Sequence, residues 1–308
     1  MDFIIFIVAM TALIYGADFV IKESERIALR FNISHYVIGA TLVAFGTSLP
    51  EMAASMVASY SNKSDMAVAN VVGSVIFNIT LVLGVVFFIS KKMVPKRDLF
   101  SLDSAWVVIP VVLFFIMIQD GEISRFDGFL YLLLMVSYII FLFGSSKETL
   151  QSDIDEELLK EKFNWLLTIS LLLVGFVLTI GGANFVVESG TNIARNFGVS
   201  EWVIGLLLIA LGTSLPELVV SIVAIKKGNA EMSIGNIIGS NVANFSMVLG
   251  SASLLNPLSI DLIATKFDLF IMAAASIALV FILANKLYNR AGAIFLLIIL
   301  ALFIQNAV

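Results

Sequence analysis

Residues 46–51 read Gly-Thr-Ser-Leu-Pro-Glu, and residues 212–217 repeat the same six letters 166 positions later. Both copies lie inside long apolar stretches, where a proline next to a glutamate is unusual. The chain also matches itself around them at the same offset and without a gap, from Gly16 over Gly182 to Val82 over Val248. The sequence is therefore an internal repeat, and the polar motif is its most informative part.

The composition predicts an integral membrane protein. Of 308 residues 60% are hydrophobic and only 13% charged, with a mean hydropathy of +1.04, whereas soluble domains carry about a quarter charged residues. The absence of cysteine and the single histidine, His35, exclude thiol chemistry and a zinc site of histidines. The net charge of -5 offers no basic face for nucleic acid. The acidic start, Met1-Asp2, without a cleavage pattern predicts that the first apolar segment is retained.

Apolar stretches long enough to cross a bilayer as helices predict an all-α fold with ten transmembrane spans. The first five form one repeat, residues 1–143, and the last five a second repeat, residues 163–308, joined by a linker over 144–162. The predicted spans are 3–22, 36–60, 65–89, 104–118, 126–143, 163–187, 202–225, 231–255, 267–285 and 290–306.

The distribution of positive residues predicts the orientation of these spans. Fourteen of the eighteen Lys and Arg residues fall on one side of the ten-span arrangement, and cytoplasmic loops collect positive charge. We therefore expect a multi-pass plasma membrane protein with both termini outside and the 144–162 loop in the cytoplasm. Because each repeat has an odd number of spans, the second enters the membrane inverted, and inverted repeats place the substrate site near the midplane at broken helices.

The two motifs contain the ligand types of a hard cation. Pro50 and Pro216 lack an N–H and clash with the carbonyl four residues earlier, which leaves the carbonyls around residues 44–47 and their repeat partners poorly satisfied by helix bonds. Such groups persist at membrane depth only where they line a cavity or are buried in protein. Carbonyl, hydroxyl and carboxylate oxygens together suit Ca²⁺, and Na⁺ accepts the same atoms.

Glu51 and Glu217 are the strongest candidate ligands, because a carboxylate in mid-span marks an ion path by default. Thr47 and Thr213 precede them by four residues, so hydroxyl and carboxylate share a helix face. Two such carboxylates would neutralise one Ca²⁺ or two Na⁺.

Other repeated polar positions have two possible roles. Ser74 and Asn78, and likewise Ser240 and Asn244, are four apart and line one helix face. They could supply ordinary interhelical hydrogen bonds, but their recurrence beside both motifs favours a role in lining the ion site. Asp18, four residues before Lys22, is expected to pair with it locally. Glycines are expected where helices approach closely, at Gly39, Gly73, Gly205 and Gly239.

Across the whole chain the motif pair, each Gly-Thr-Ser-Leu-Pro-Glu followed by Gly-Ser-x-x-x-Asn, resembles the cation/calcium exchanger superfamily, and within it a prokaryotic member of the sodium/calcium exchanger branch. This resemblance implies exchange of three Na⁺ for one Ca²⁺ by alternating access, with the first and sixth helices sliding past a steadier core. It implies no cofactor and no protein partner, and the expected partners are Ca²⁺, Na⁺ and the lipid bilayer. The Ca²⁺ ligands it implies are Glu51, Glu217, Thr47 and Thr213. The Na⁺ ligands it implies are Ala44, Thr47, Ser48, Glu51, Ser74, Asn78, Ala210, Thr213, Ser214, Glu217, Ser240 and Asn244.

Departures from the family pattern bear on the coupling ion. Proton-coupled relatives usually carry a Gly-Asn-Ala-Thr-Glu type of motif, which is absent here and favours Na⁺. The potassium-dependent branch relies on an acid where this chain has Asn244, so we expect no dependence on K⁺. With both glutamates ionised, one Ca²⁺ leaves the site neutral and three Na⁺ leave it at +1, so at that stoichiometry we expect an electrogenic exchange.

Three other functions remain as alternatives at this stage. They are a proton-coupled antiporter for Ca²⁺ or another divalent cation, a cation channel and an intramembrane enzyme. Channels usually place their carboxylates in rings of a symmetric oligomer rather than in one inverted pair. An enzyme is disfavoured because the chain lacks a nucleophile and base arrangement beside the two glutamates.

Overall fold

The structure is a computed structural model that describes residues 1–90, 95–145, 163–197 and 212–307. These residues are almost entirely helical, as the apolar composition predicts. The helices are α1 (Asp2–Phe31), α2 (His35–Thr47), α3 (Leu49–Tyr60), α4 (Ser64–Ile89), α5 (Leu99–Met117), α6 (Arg125–Ser145), α7 (Trp165–Asn196), α8 (Leu215–Lys226), α9 (Ala230–Leu255), α10 (Lys266–Ala284) and α11 (Arg290–Ala307). Two short strands, β1 (Glu122–Ile123) and β2 (Leu258–Ser259), pair antiparallel.

The predicted all-α membrane fold is confirmed at the level of its spans. Seven helices in the described part of the chain are long and apolar enough to cross a membrane, or eight when α2 and α3 count as one broken span. Helix α11 is apolar but shorter. Much of the predicted span 202–225 and nearly all of the 144–162 linker lie outside the described residues, so the ten-span count remains a prediction.

Two helices are longer than the spans predicted for them. Helix α1 continues to Phe31 although its apolar stretch was expected to end at residue 22, and α7 continues to Asn196 instead of residue 187. Hydropathy marks only the part of a helix that meets lipid, whereas the backbone continues until a residue stops it. For α1 that residue is Asn32, which adopts a left-handed conformation with φ of 55°.

The described chain forms two compact units, each of which draws segments from both sequence repeats. The first consists of Met1–Thr47 and Leu142–Asn236, and the second of Ser48–Phe141 and Ile237–Val308. The first unit contains α1, α2, α7, α8 and the beginning of α9. The second contains α3, α4, α5, α10, α11, most of α6 and the remainder of α9.

In the first unit, α1 and α7 pack backbone against backbone. A Cβ atom added at Gly16 would lie 2.6 Å from the Thr179 amide nitrogen, and one added at Gly182 would lie 2.7 Å from the Leu13 amide nitrogen. Gly16 and Gly182 are partners in the sequence repeat. Small residues allow this approach, and dispersion contacts then stabilise the helix pair in lipid.

We expect Gly182→Ala to lower the free energy of unfolding by about 1–3 kcal/mol, because overpacking forces the backbones apart. The neighbouring Gly181→Ala is the matched control, since its Cβ would meet no atom within 4 Å and alanine is the better helix former. The measurement is the thermal unfolding of both purified variants in detergent. Equal unfolding temperatures for the two variants would contradict the close packing.

Ion pairs at the polar end of α1 differ from the sequence-based expectation. Asp18 was predicted to pair with Lys22, but the structure pairs it with Lys227 at 2.6 Å. The Asp18 partner lies just after α8, and helical spacing within α1 could not reveal a residue so distant in sequence. Glu23, which is buried, accepts two hydrogen bonds from Arg26 at 3.0 and 3.1 Å.

The second unit is held by polar contacts between segments far apart in the chain. Ser59 donates to the Ala252 carbonyl at 2.6 Å, and Asn256 donates back to the Ser59 carbonyl at 2.9 Å. A buried ion pair joins Arg97 to Asp103 through two hydrogen bonds, of 2.7 and 3.1 Å. The contacts of Ser59 join the ends of α3 and α9, which carry candidate ligands, whereas the ion pair is local and lies at the start of α5.

Candidate cation site

Both repeated motifs place a serine of the same backbone conformation directly before a helix. Helix α2 ends at Thr47 and α3 begins at Leu49, while Ser48 between them has φ of −84° and ψ of 3°. Ser214, which precedes α8, has φ of −88° and ψ of 1°. The two prolines lie in the first turn of α3 and α8, where a missing N–H costs no helix bond. The predicted helix break is therefore present at the first motif, whereas the residues before the second motif, 198–211, lie outside the described part of the chain.

Each motif places its glutamate in the first turn of the helix that follows. Glu51 and Glu217 are both only 1% exposed. The amides of a helix N-terminus favour negative charge, so this position stabilises an ionised carboxylate. A buried carboxylate of this kind is suited to binding a cation.

The first unit contains Thr213, Ser214 and Glu217 together with Ala44 and Thr47 of the other motif. The Thr47 hydroxyl lies 3.2 Å from the Ala44 carbonyl oxygen and is fully buried. Ser214 is also buried. Helix α2 packs against α7 and α8 in this unit, and Phe176 of α7 lies directly against Gly46.

The second unit contains the other six described ligands, on α3, α4 and α9. Helix α3 packs against α4 and against the segment Asn244–Leu249 of α9, and α4 packs against the same segment. Asn70 of α4 donates to the Glu51 carbonyl oxygen at 3.1 Å and therefore ties α4 to the motif. The six residues are all buried, and they are Ser48, Glu51, Ser74, Asn78, Ser240 and Asn244.

Helices α4 and α9 both change their winding at the predicted asparagines. A π-helical segment begins at Asn78 and ends at Val82, and another runs from Asn244 to Leu249. The two asparagines are repeat partners. Single π turns inside α-helices occur frequently at functional sites, so the winding distinguishes these positions from ordinary polar packing residues.

Five predicted ligands carry a buried oxygen that has no hydrogen-bond partner among the described residues. Leaving such a group unsatisfied costs about 1–3 kcal/mol, so each one requires an explanation. Coordination of a cation during transport would explain why these oxygens have no hydrogen-bond partner. The five atoms are Ser74 Oγ, Asn78 Oδ1, Ser214 Oγ, Ser240 Oγ and Asn244 Oδ1.

The structure describes eleven of the twelve predicted ligands, and only Ala210 lies outside the described residues. They fall into two groups, one in each unit. The group in the first unit is Ala44, Thr47, Thr213, Ser214 and Glu217. The group in the second unit is the set of six given above for that unit. The prediction that these residues are ligands is not tested by the geometry alone.

Sequence reasoning missed two hydrogen-bonded pairs beside the motifs. Asn70 Nδ2 donates to Ser55 Oγ at 2.9 Å, and Asn236 Nδ2 donates to Ser221 Oγ at 3.2 Å. Both residues of the first pair have their repeat partner in the second, so the offset of 166 contained the signal. Asn241 was also missed. It is 5% exposed with both amide atoms unpartnered within the described ranges.

The sequence profile of the family described as sodium/calcium exchanger protein matches residues 1–144 and 167–307. The two matched stretches contain both motifs and nearly every described helix. The chain belongs to the sodium/calcium exchanger family. This membership confirms the resemblance that the motif pair predicted.

Relatives of this exchanger family match over nearly the full chain. The sodium/calcium exchanger MaX1 of Methanosarcina acetivorans is 31% identical over 92% of this chain and 91% of its own. An uncharacterized membrane protein of Methanocaldococcus jannaschii, MJ0091, is 35% identical over 94% of this chain and 93% of its own. A solved structure of the sodium-calcium exchanger NCX_Mj, soaked with Na⁺ and Sr²⁺, superposes with a TM-score of 0.83 at 31% identity, covering 99% of this chain and 97% of that one.

Proposed function

We propose that the chain is a secondary active antiporter that exchanges Na⁺ for Ca²⁺ by alternating access, independently of K⁺ and with net movement of charge. The observation that carries the proposal is the repeated buried set of carboxylate, hydroxyl, amide and carbonyl oxygens near the starts of α3 and α8. Oxygen-only sets of this kind suit Ca²⁺ and Na⁺. Family membership and the names of MaX1 and NCX_Mj support the same two ions.

The proposed ligands are those that the resemblance implies. Glu51, Glu217, Thr47 and Thr213 bind Ca²⁺, and the wider set of twelve residues binds Na⁺. With both glutamates ionised, one Ca²⁺ leaves their combined charge neutral, whereas three Na⁺ leave it at +1. The stoichiometry of three to one would therefore move one net charge in each cycle, which corresponds to about 2.3 kcal/mol per 100 mV.

The proposed architecture is ten transmembrane helices in two inverted repeats of five, with both termini outside the plasma membrane. Its support is the parity of the predicted spans and the excess of Lys and Arg on one side. The described helix bounds are compatible with this count. Cysteine labelling of the naturally cysteine-free chain offers a direct way to assign each loop to a side.

We expect proteoliposomes loaded with Na⁺ to accumulate ⁴⁵Ca²⁺, and liposomes loaded with choline to accumulate none. The reason is that this chain lacks the Gly-Asn-Ala-Thr-Glu type of motif that proton-coupled relatives usually carry. A pH gradient imposed without Na⁺ is the control for the alternative coupling ion. Equal uptake with and without the Na⁺ gradient would contradict Na⁺ coupling, and uptake driven by the pH gradient alone would establish the proton-coupled alternative.

The same preparation tests the charge movement and the K⁺ requirement. Exchange of internal Na⁺ for external Ca²⁺ at three to one makes the interior negative, so a clamp of the voltage with K⁺ and valinomycin should accelerate uptake. Replacement of K⁺ by choline, without valinomycin, should leave the rate unchanged. A rate that ignores the voltage would overturn the electrogenic stoichiometry, and a rate that falls without K⁺ would overturn K⁺ independence.

A further inference from the structure

The hydroxyl of Thr47 faces two acceptors in the first unit. Its oxygen lies 3.2 Å from the Ala44 carbonyl oxygen and 3.4 Å from Oδ1 of Asn236. A threonine hydroxyl has one proton to donate and two lone pairs to offer. The hydroxyl proton can therefore point to one acceptor at a time, and its direction determines where the lone pairs of the Thr47 oxygen point.

Asn236 is fixed as the second of these acceptors. It is 1% exposed, and its Nδ2 donates to Ser221 Oγ at 3.2 Å. Ser221 lies on α8, one helical turn after Glu217. The bond to Ser221 turns the amide so that Oδ1 faces Thr47, and a buried amide anchored on both sides has little freedom to move away.

From this geometry we propose that Asn236 is a positioning residue whose Oδ1 accepts the hydrogen bond of the Thr47 hydroxyl when Na⁺ binds. The inference rests on the proposed function, in which Ala44 O and Thr47 Oγ1 are Na⁺ ligands. A proton that points from Thr47 to Ala44 lies between these two oxygens and repels a cation that needs both. Once the proton turns to Asn236, the lone pairs of both oxygens become available to the same ion.

Ca²⁺ places a different demand on this network. The proposed Ca²⁺ ligands include Thr47 but not Ala44. The Thr47 hydroxyl can therefore keep its hydrogen bond to the Ala44 carbonyl oxygen while one of its lone pairs faces the ion. Loss of the Asn236 acceptor therefore weakens Na⁺ more than Ca²⁺. Asn236 thus sets the ratio between the two affinities without touching either ion.

The test compares Asn236→Ala with Asn236→Asp and Ser221→Ala in the full-length protein. Na⁺ and Ca²⁺ midpoints are read from the ion-dependent rise of the unfolding temperature, which works for variants that no longer transport. We expect Asn236→Ala to raise the Na⁺ midpoint about tenfold, the effect of one lost hydrogen bond. The Ca²⁺ midpoint should shift by less than about twofold. Ser221→Ala keeps the Asn236 acceptor but removes the bond that orients it, so it should give a smaller Na⁺ shift than Asn236→Ala.

Asn236→Asp keeps an acceptor at the same position, so its Na⁺ midpoint should stay unchanged or fall. Equal Na⁺ and Ca²⁺ shifts in Asn236→Ala overturn the inference. If that variant does not fold, a raised Na⁺ midpoint in Asn236→Asp overturns it instead. Failure of the proposed function is recognised separately, because the unaltered protein would then show no Na⁺-driven ⁴⁵Ca²⁺ uptake. With uptake intact, the ratio of the midpoints decides the role of Asn236.

Discussion

Replacing Glu51 with glutamine should abolish Na⁺-driven Ca²⁺ uptake, and Glu217→Gln should have the same effect. Both carboxylates are 1% exposed and lie in the first turn of a helix. Glutamine keeps the shape and one oxygen but removes the charge that opposes the cation. Loss of one partner from a buried ionic interaction costs about 3–5 kcal/mol, so we expect Ca²⁺ affinity to fall at least about a hundredfold.

The measurement is ⁴⁵Ca²⁺ uptake combined with the Ca²⁺-dependent rise of the unfolding temperature. The matched control is Glu23→Gln, because Glu23 is an equally buried acid on a membrane helix whose partner is Arg26 rather than an ion. Its Ca²⁺ midpoint should stay within about threefold of the unaltered protein. Full uptake in either motif variant would remove the corresponding glutamate from the proposed site.

The features that the sequence predicts well are those encoded locally or by the repeat. Apolar length located the described spans to within a few residues in most cases, because lipid selects for it directly. The helix break at Ser48 and the start of α8 after Ser214 follow from the backbone chemistry of the next-but-one proline. The offset of 166 pairs Asn78 with Asn244, and the structure gives both the same π winding.

Features that depend on distant neighbours could not be predicted in this way. The pairing of β1 with β2 brings Glu122 opposite Ser259, and two residues per strand leave no alternating pattern to recognise. Glycines show the same limit. Gly39 lies against the Met232 carbonyl, as expected for a packing residue, but a Cβ at Gly73 would meet no atom of the described residues within 4 Å, so the packing role predicted for Gly73 is not seen among them.

Buried charge is a second case in which the sequence reveals a residue but not its role. Glu23, Asp103 and Glu51 are all acids in apolar surroundings, and hydropathy treats them alike. The structure places Arg26 and Arg97 within hydrogen-bond distance of the first two, whereas Glu51 is a proposed ligand of the transported ion. Neutralisation of an acid paired with arginine should therefore affect stability, and neutralisation of an ion ligand should affect stabilisation by the ion, which the ion pair of the second unit allows to be tested.

Asp103→Asn is expected to lower the free energy of unfolding by about 3–5 kcal/mol, because Arg97 would keep a buried charge without its counterion. Arg97 is 6% exposed and Asp103 is fully buried, and the pair is bidentate, the strongest arrangement for arginine and a carboxylate. The neighbouring tyrosine does not complicate the measurement. Burial, followed by the charges of Asp98 and Asp103, raises the pKa of Tyr288 to about 12, so it stays neutral near pH 7.

Thermal or denaturant unfolding in detergent measures the loss, and the double variant Arg97→Met with Asp103→Leu is the control. Removal of both charges should restore most of the stability, since an apolar pair of similar volume often matches a buried ion pair. Glu51→Gln should instead lose the stabilisation by Ca²⁺, because its carboxylate is a proposed ligand of that ion. Ca²⁺ stabilisation with an unaltered midpoint should persist in Asp103→Asn, because its carboxylate neutralises Arg97 rather than a transported ion. A shifted Ca²⁺ midpoint in this variant would instead connect the ion pair to the transport site.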